Sequence, residues 1–316
     1  MANSVGLRRA RVPAAHLPEG LDVIACYPSI GDEQAIAFGP YTLDAVEQGV
    51  PTPGPWPVVV VSHGSGGSPL THRGLARHLA SAGWLVLLPT HPGNNRDDNS
   101  LANGTEILVQ RPRDVSAVID WAASPDGFAR HAETRAVGVV GHSMGGYTAL
   151  ALAGGRPYTV ARDTPGMAAE PIPVDADPRV TCVVLLAPAA PWFIPEGSLS
   201  DVTVPVLPLT GALDAMTGSH GDIVNARLPA TTPITSRVVP GAGHFSFLTP
   251  FPAHMTNPAF PPSQDPPGST GRGSTRLCIQ RSPRSCGRAR IRHFTPVRWR
   301  RSTRWRPCRT GKRGRW

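Results

Sequence analysis

Apolar residues recur in two rhythms along the first 268 positions. One rhythm is the short continuous run: "PVVVVSH" (57–63), "GWLVLLP" (83–89), "AVGVVGH" (136–142), "VTCVVLLAP" (180–188), "VPVLPLTG" (204–211) and "ITSRVVPG" (234–241). Runs of this kind suit strands covered on both faces. "LDVIACY" (21–27) alternates instead, which predicts an antiparallel edge strand. The second rhythm is helical. Residues 70–82 place Leu75, Leu79 and Ala82 on one side, and residues 112–123 do the same with Val115, Val118, Ile119 and Ala122. Pro112 suits a first helical turn there. Small residues over 145–154 and a short segment at 221–228 predict two further helices. Strands alternating with helices predict an α/β fold, a mostly parallel sheet with helices on both faces. Residues 157–179, rich in Pro, Ala and Asp, read as an irregular excursion over the sheet edge, and no internal repeat is evident.

Charge divides the chain. Of its 31 basic residues, 15 Arg and 1 Lys lie in 269–316, which hold none of the 22 acidic ones. Residues 1–268 are left with 15 basic and 22 acidic groups, a net of −7, so the formal +9 of the whole belongs to the tail. Five cysteines (26, 182, 278, 286 and 308) show neither a disulfide framework nor metal-ligand spacing, and no metal or cofactor is expected. The N-terminal twenty residues lack the apolar segment of a signal peptide. The longest apolar stretch, "VTCVVLLAPAAPWFIP", is too short and too interrupted by proline to span a bilayer, so a soluble, cytoplasmic protein is the expectation.

The chemistry centres on "VGVVGHSMGGYTALAL", where Gly141-His142-Ser143-Met144-Gly145 joins a buried strand to a small-residue helix. A sharp turn of this kind strains the serine backbone and exposes its hydroxyl as a nucleophile. The helix N-terminus sets N–H groups beside it, where an oxyanion forms. No Lys follows, so the turn is not a phosphate loop. A serine needs a base, and on such a scaffold the order along the chain is Ser, Asp or Glu, His. His244, in "VVPGAGHFSFL", has that order and a tight glycine loop, with His16, His63, His72, His78, His91, His131, His142, His220 and His254 as alternatives. Asp214, past Gly211, is the candidate acid. Asp222 competes but sits in a helical first turn, and Asp201 precedes its strand and so falls at the opposite end of the sheet. Two backbone N–H groups, of Met144 and of Ser65 in "HGSGGS" (63–68), are the expected oxyanion donors. "HPGNNRDD" follows a strand on the same rim. Its His91, Asn94 and Asn95 either line the substrate pocket or fix their own loop. Trp192 and Phe193 of "PWFIP" either line an acyl pocket or belong to the core.

"YPS" (27–29), "GPYTLD" (39–44), "SHGSGG" (62–67), "HPGNN" (91–95), "RPRDVSAVID" (111–120), "GHSMGGYTAL" (141–150) and "GAGHFSFL" (241–248) together resemble the α/β-hydrolase superfamily. More narrowly, they resemble dienelactone-hydrolase-like proteins related to platelet-activating-factor acetylhydrolases. The resemblance covers about residues 5–268 as one domain. It implies a metal-free Ser-His-Asp esterase with Ser143, His244 and Asp214 as triad and a small-molecule ester, of a short acyl group or a lactone, as substrate. Dienelactone hydrolase itself uses cysteine where this chain has Ser143, so dienelactone is not implied. In the acetylhydrolase branch the acid can follow the strand matching "CVVLLAP", but no Asp or Glu occurs there before Glu196, which favours Asp214.

Relatives of this type continue into a C-terminal amphipathic helix. Residues 269–316 have no hydrophobic periodicity to make one and are expected to be irregular. Arg-, Gly- and Pro-rich sequence is what a GC-rich gene yields out of frame, so a frameshift near Gly268 is the expectation. The rival is a basic arm that binds nucleic-acid phosphates, with Trp299, Trp305 and Trp316 stacking on bases, but no recognised motif supports it.

Overall fold

The computed structural model describes residues 4–161, 163, 166 and 168–255. The Arg-rich tail, His254's side chain and the frameshift expectation lie outside the described residues. Eleven strands and four α-helices occur among the described residues. The first five strands, β1 (Ser4–Ala14), β2 (Leu17–Ile30), β3 (Gln34–Phe38), β4 (Tyr41–Glu47) and β5 (Val50–Pro51), come in succession. There follow β6 (Trp56–Ser62), α1 (Arg73–Ser81), β7 (Leu85–Pro89), α2 (Glu106–Ala123), β8 (Ala132–His142) and α3 (Met144–Leu152). The chain then forms β9 (Val180–Leu186), β10 (Val206–Gly211), α4 (His220–Arg227) and β11 (Arg237–Val239).

The strands hydrogen-bond in the order β11-β10-β9-β8-β6-β7-β2-β1-β4-β3, with β5 beside β2. From β11 to β7 every pairing is parallel. β2 then runs antiparallel to both β7 and β1. It is therefore an interior strand and not the edge strand that its alternation predicted. The missed neighbour is β1, whose "SVGLRRARVPA" sets its apolar residues among arginines. Its Val5, Leu7 and Val12 are nonetheless fully buried.

Alternation explains the continuous runs. Val58 and Val60 of β6 face the layer of α2 and α3, whereas Val59 and Val61 face α1 with Ala76, Leu79 and Ala80. Both faces of the central strands are thus covered. The second helix departs from expectation at its start. It begins at Glu106, six residues earlier, which puts Pro112 inside it. Proline has no N–H to bond the carbonyl four residues back. Here that carbonyl, of Leu108, accepts a hydrogen bond from the buried Tyr147 hydroxyl of α3 at 2.9 Å. The interior proline thereby becomes a point of attachment between the two helices. Residues 157–179 carry no helix or longer strand among the described residues, as expected of an irregular excursion.

Candidate active site

The carboxyl ends of β6, β7, β8, β9 and β10 open into loops on one rim, where ligands of open parallel sheets bind. Ser143 sits between β8 and α3 with φ +54° and ψ −116°. That backbone is rare for a residue with a Cβ and costs on the order of 1–3 kcal/mol. Its surroundings enforce it. The Ser143 N–H donates to Leu186 O at 3.0 Å, and its carbonyl accepts from Gly146 and Ala189 N–H groups, both at 2.8 Å. A Cβ on Gly145 would collide with the Ser62 carbonyl, so the helix packs onto β6 only with glycine there. Ser143 itself is only partly buried, and its side chain caps nothing. Met144 heads α3, where a backbone N–H has no carbonyl of its own helix to bond.

Asp214 and His244 meet on the loops after β10 and β11. The imidazole Nδ1 lies 3.0 Å from Asp214 Oδ2, and both side chains are almost wholly enclosed. Burial works against the Asp214 charge. Hydrogen bonds from His244, the Thr217 N–H and the Thr217 hydroxyl outweigh it and hold the carboxyl well below the usual carboxylate range. Asp214 Oδ1 accepts N–H groups from Met216 (2.8 Å) and Thr217 (2.9 Å). Thr217 was not foreseen. Its hydroxyl lies within bonding distance of Asp214 Oδ2 (2.8 Å), Ala187 O (3.0 Å) and His244 Nδ1 (3.2 Å). Ala187, with φ +44°, ends β9 in a strained turn that presents this carbonyl. His142, beside Ser143, has Nε2 3.0 Å from the His244 carbonyl, with the two rings 4.8 Å apart. The competing acids go elsewhere: Asp222 to the first turn of α4, and Asp201 to an exposed pair with Arg156.

A hydrogen-bonded Ser-His-Asp series lies beneath the rim. His91 Nε2 is 2.9 Å from Ser62 Oγ, and His91 Nδ1 is 2.8 Å from Asp114 Oδ2. His16 bonds the other Asp114 oxygen at 2.8 Å. All of Ser62, His91 and Asp114 are fully buried, so no substrate carbonyl reaches the Ser62 hydroxyl. Burial also keeps His91 neutral, with the Arg111 charge adding to the effect, and lifts Asp114 to about 6. Bonding through from serine to acid thus occurs at the sealed Ser62, whereas at the rim it joins Asp214 to His244.

The residues foreseen around the rim are mostly enclosed. His91 and Asn94 have no exposed surface, Phe193 has none, and Trp192 is 3% exposed. Phe193 and Trp192 pack on the Tyr147 ring at 5.5 and 5.0 Å. Asn95 bonds His91 O and the N–H groups of Asp97 and Asp98, which fixes its own loop. Ser65 is exposed, and its hydroxyl accepts from Asn94 Nδ2 at 2.8 Å. Among the described residues no His, Cys, Asp and Glu cluster has the makings of a metal site, and no helix is long and apolar enough to cross a membrane.

This strand order, with a strained serine between a central parallel strand and the next helix, defines the α/β-hydrolase fold, and the chain has that fold. A family model described as alpha/beta hydrolase fold matches residues 57–210, from β6 to β10. Among solved structures, the chain is similar to a ferulic acid esterase from Streptomyces cinnamoneus, with a TM-score of 0.56 and 23% identity over 78% of this chain and 75% of that one. It is also similar to a protein described as a dienelactone hydrolase from Klebsiella pneumoniae, with a TM-score of 0.51 and 19% identity over 77% and 88% of the two chains. No curated protein matches the sequence.

Proposed function

We propose that the chain is a serine hydrolase that cleaves carboxylic esters through an acyl-enzyme. The observation that carries this reading is the buried Asp214–His244 pair, joined through His142 to the positive-φ Ser143. Ser143 Oγ attacks the ester carbonyl while His244 Nε2 accepts its proton. Asp214, ionised at neutral pH, holds the Nδ1–H tautomer and stabilises the imidazolium. The tetrahedral oxyanion takes hydrogen bonds from the Met144 and Ser65 N–H groups. Collapse breaks the ester bond, and His244 returns the proton to the departing alcohol. Water then repeats the sequence on the acyl-serine and regenerates Ser143. The names of the two solved neighbours, an esterase and a dienelactone hydrolase, support esters and lactones as the substrate class, and the short acyl group rests on the sequence resemblance alone. Substrate contact is assigned to none of His91, Asn94, Trp192 and Phe193, whose surfaces are spent on packing.

The test is turnover of p-nitrophenyl esters from acetate upward in chain length. Release of p-nitrophenolate above the buffer rate, falling as the chain lengthens, is the expected result. No release above buffer from any member, by protein with a cooperative melt, overturns the reading.

A further inference from the structure

Arg111 belongs to the "RPRDVSAVID" segment, for which the triad has no use, and it is the largest fully buried side chain among the described residues. Its guanidinium fork reaches three separate pieces of the rim. Nε donates to Thr148 Oγ1 of α3 at 3.1 Å. One terminal nitrogen donates to Asn94 Oδ1 at 2.8 Å. The other donates to Ser62 Oγ at 3.1 Å and to the His63 carbonyl. Asn94 in turn donates to Ser65 Oγ, and the 63–68 loop bridges the 91–98 loop through Gly67 and Asn95, with Arg96 N–H on Gly67 O at 2.8 Å.

Two physical points separate this arrangement from ordinary core packing. First, Arg111 makes no salt bridge among the described residues. Burial depresses its pKa to about 9, which leaves it charged at neutral pH, and the nearest compensation is Asp114 through Ser62 and His91. A buried charge of this kind is a poor source of stability, since an apolar side chain of similar volume commonly serves as well or better. Second, the bonds go to the start of the 63–68 loop, to Asn94 of the loop after β7 and to the helix that follows Ser143, not to one element.

We infer that Arg111 is a positioning residue that sets the 63–68 loop against α3, so that the Ser65 and Met144 N–H groups converge on one point. The inference rests on the esterase reading above. Its effect falls on the transition state, because an oxyanion donor misplaced by a fraction of an ångström weakens the bond to the developing charge more than it weakens ground-state binding. Lysine does not replace it, since a single ammonium cannot span Thr148, Asn94 and His63 together.

The test compares Asn94→Ala and Arg111→Met with the parent on p-nitrophenyl acetate. Each rate is divided by the number of active sites titrated with a fluorophosphonate, which removes any unfolded fraction. Asn94→Ala removes the bridge from Arg111 through Asn94 to the Ser65 hydroxyl, without introducing a charge or removing the guanidinium from Ser62 and His63. Its kcat is expected to fall about tenfold with KM within about threefold of the parent. Arg111→Met, where it folds, is expected to lose about 100-fold in kcat with KM likewise little changed. A kcat per titrated site within about threefold of the parent for Asn94→Ala overturns the inference, whatever Arg111→Met does. A parent that hydrolyses the ester through Ser143 while Asn94→Ala is unimpaired defeats only the Arg111 inference. A parent without turnover defeats the esterase reading itself.

Discussion

Ser143→Ala is expected to lower kcat for p-nitrophenyl acetate by about 10⁴-fold or more, with the melting temperature at or above that of the parent. The rate falls because alanine has no atom to form the acyl bond, leaving only binding and the oxyanion donors to act on attacking water. The stability expectation has a separate cause. The rare backbone at position 143 is imposed by the Leu186, Gly146 and Ala189 hydrogen bonds, all to main-chain atoms, so alanine keeps them. His244→Ala is expected to cost about as much as Ser143→Ala, and the double variant hardly more, because the two act as one unit. Rate measurements on the three variants, with thermal melts alongside, check both halves. Multiplicative losses in the double variant would show that His244 does not serve Ser143.

The second large effect is on stability in mild acid. His63, His72, His91 and His142 are buried, and burial holds all four below the usual imidazole range, His63 and His72 at about 3. His72 shows the cause most plainly, for neither of its ring nitrogens has a hydrogen-bond partner among the described residues. The folded state therefore excludes protons that the unfolded chain binds below pH 6.5. Stability is fully present above that pH and is lost as pH falls from 6.5 toward 3. His63 and His72 alone cost roughly 3 kcal/mol by pH 5.5, and His91 and His142 act in the same direction. Asp114, lifted to about 6, takes up its proton in the folded state and returns less than about 1 kcal/mol over that range. Against a total of about 5–15 kcal/mol, urea midpoints should drop steeply between pH 7 and 5.5. His72→Phe should flatten the drop by one proton. An unchanged midpoint across that interval would contradict burial of these rings.

The parts of the fold and site that the sequence disclosed share a physical property: each rests on local chemistry. Runs such as "PVVVVSH" identify strands because both faces of the central sheet are dry. The turn at Ser143 is legible because Gly145 must pack on a carbonyl and because a buried strand runs directly into it. His244 and Asp214 emerged from chain order and loop position, and the fold does bring that pair into contact. What escaped depends on partners distant in the chain. β1 hides its apolar residues between arginines, and the interior place of β2 follows only once β1 is known. Helix α2 was cut short because Pro112 reads as a start signal, whereas Tyr147 supplies the hydrogen bond that lets it sit inside. Thr217 is an unremarkable threonine until the strained Ala187 carbonyl and Asp214 surround it. The Ser62–His91–Asp114 series spans 52 positions, and no spacing rule connects them. The nearest signal was "RPRDVSAVID", which holds both Arg111 and Asp114 but gives no hint of what they touch.

The esterase reading requires Ser143, and not the buried Ser62 of the Ser62–His91–Asp114 series, to be the nucleophile. Its most direct test is to treat the folded protein with a fluorophosphonate, digest it and locate the phosphonyl adduct by mass spectrometry. One adduct per chain is expected, on Ser143, and none when His244 is replaced by alanine. An adduct on Ser62, or a folded protein that the reagent leaves unmodified at Ser143, would contradict it.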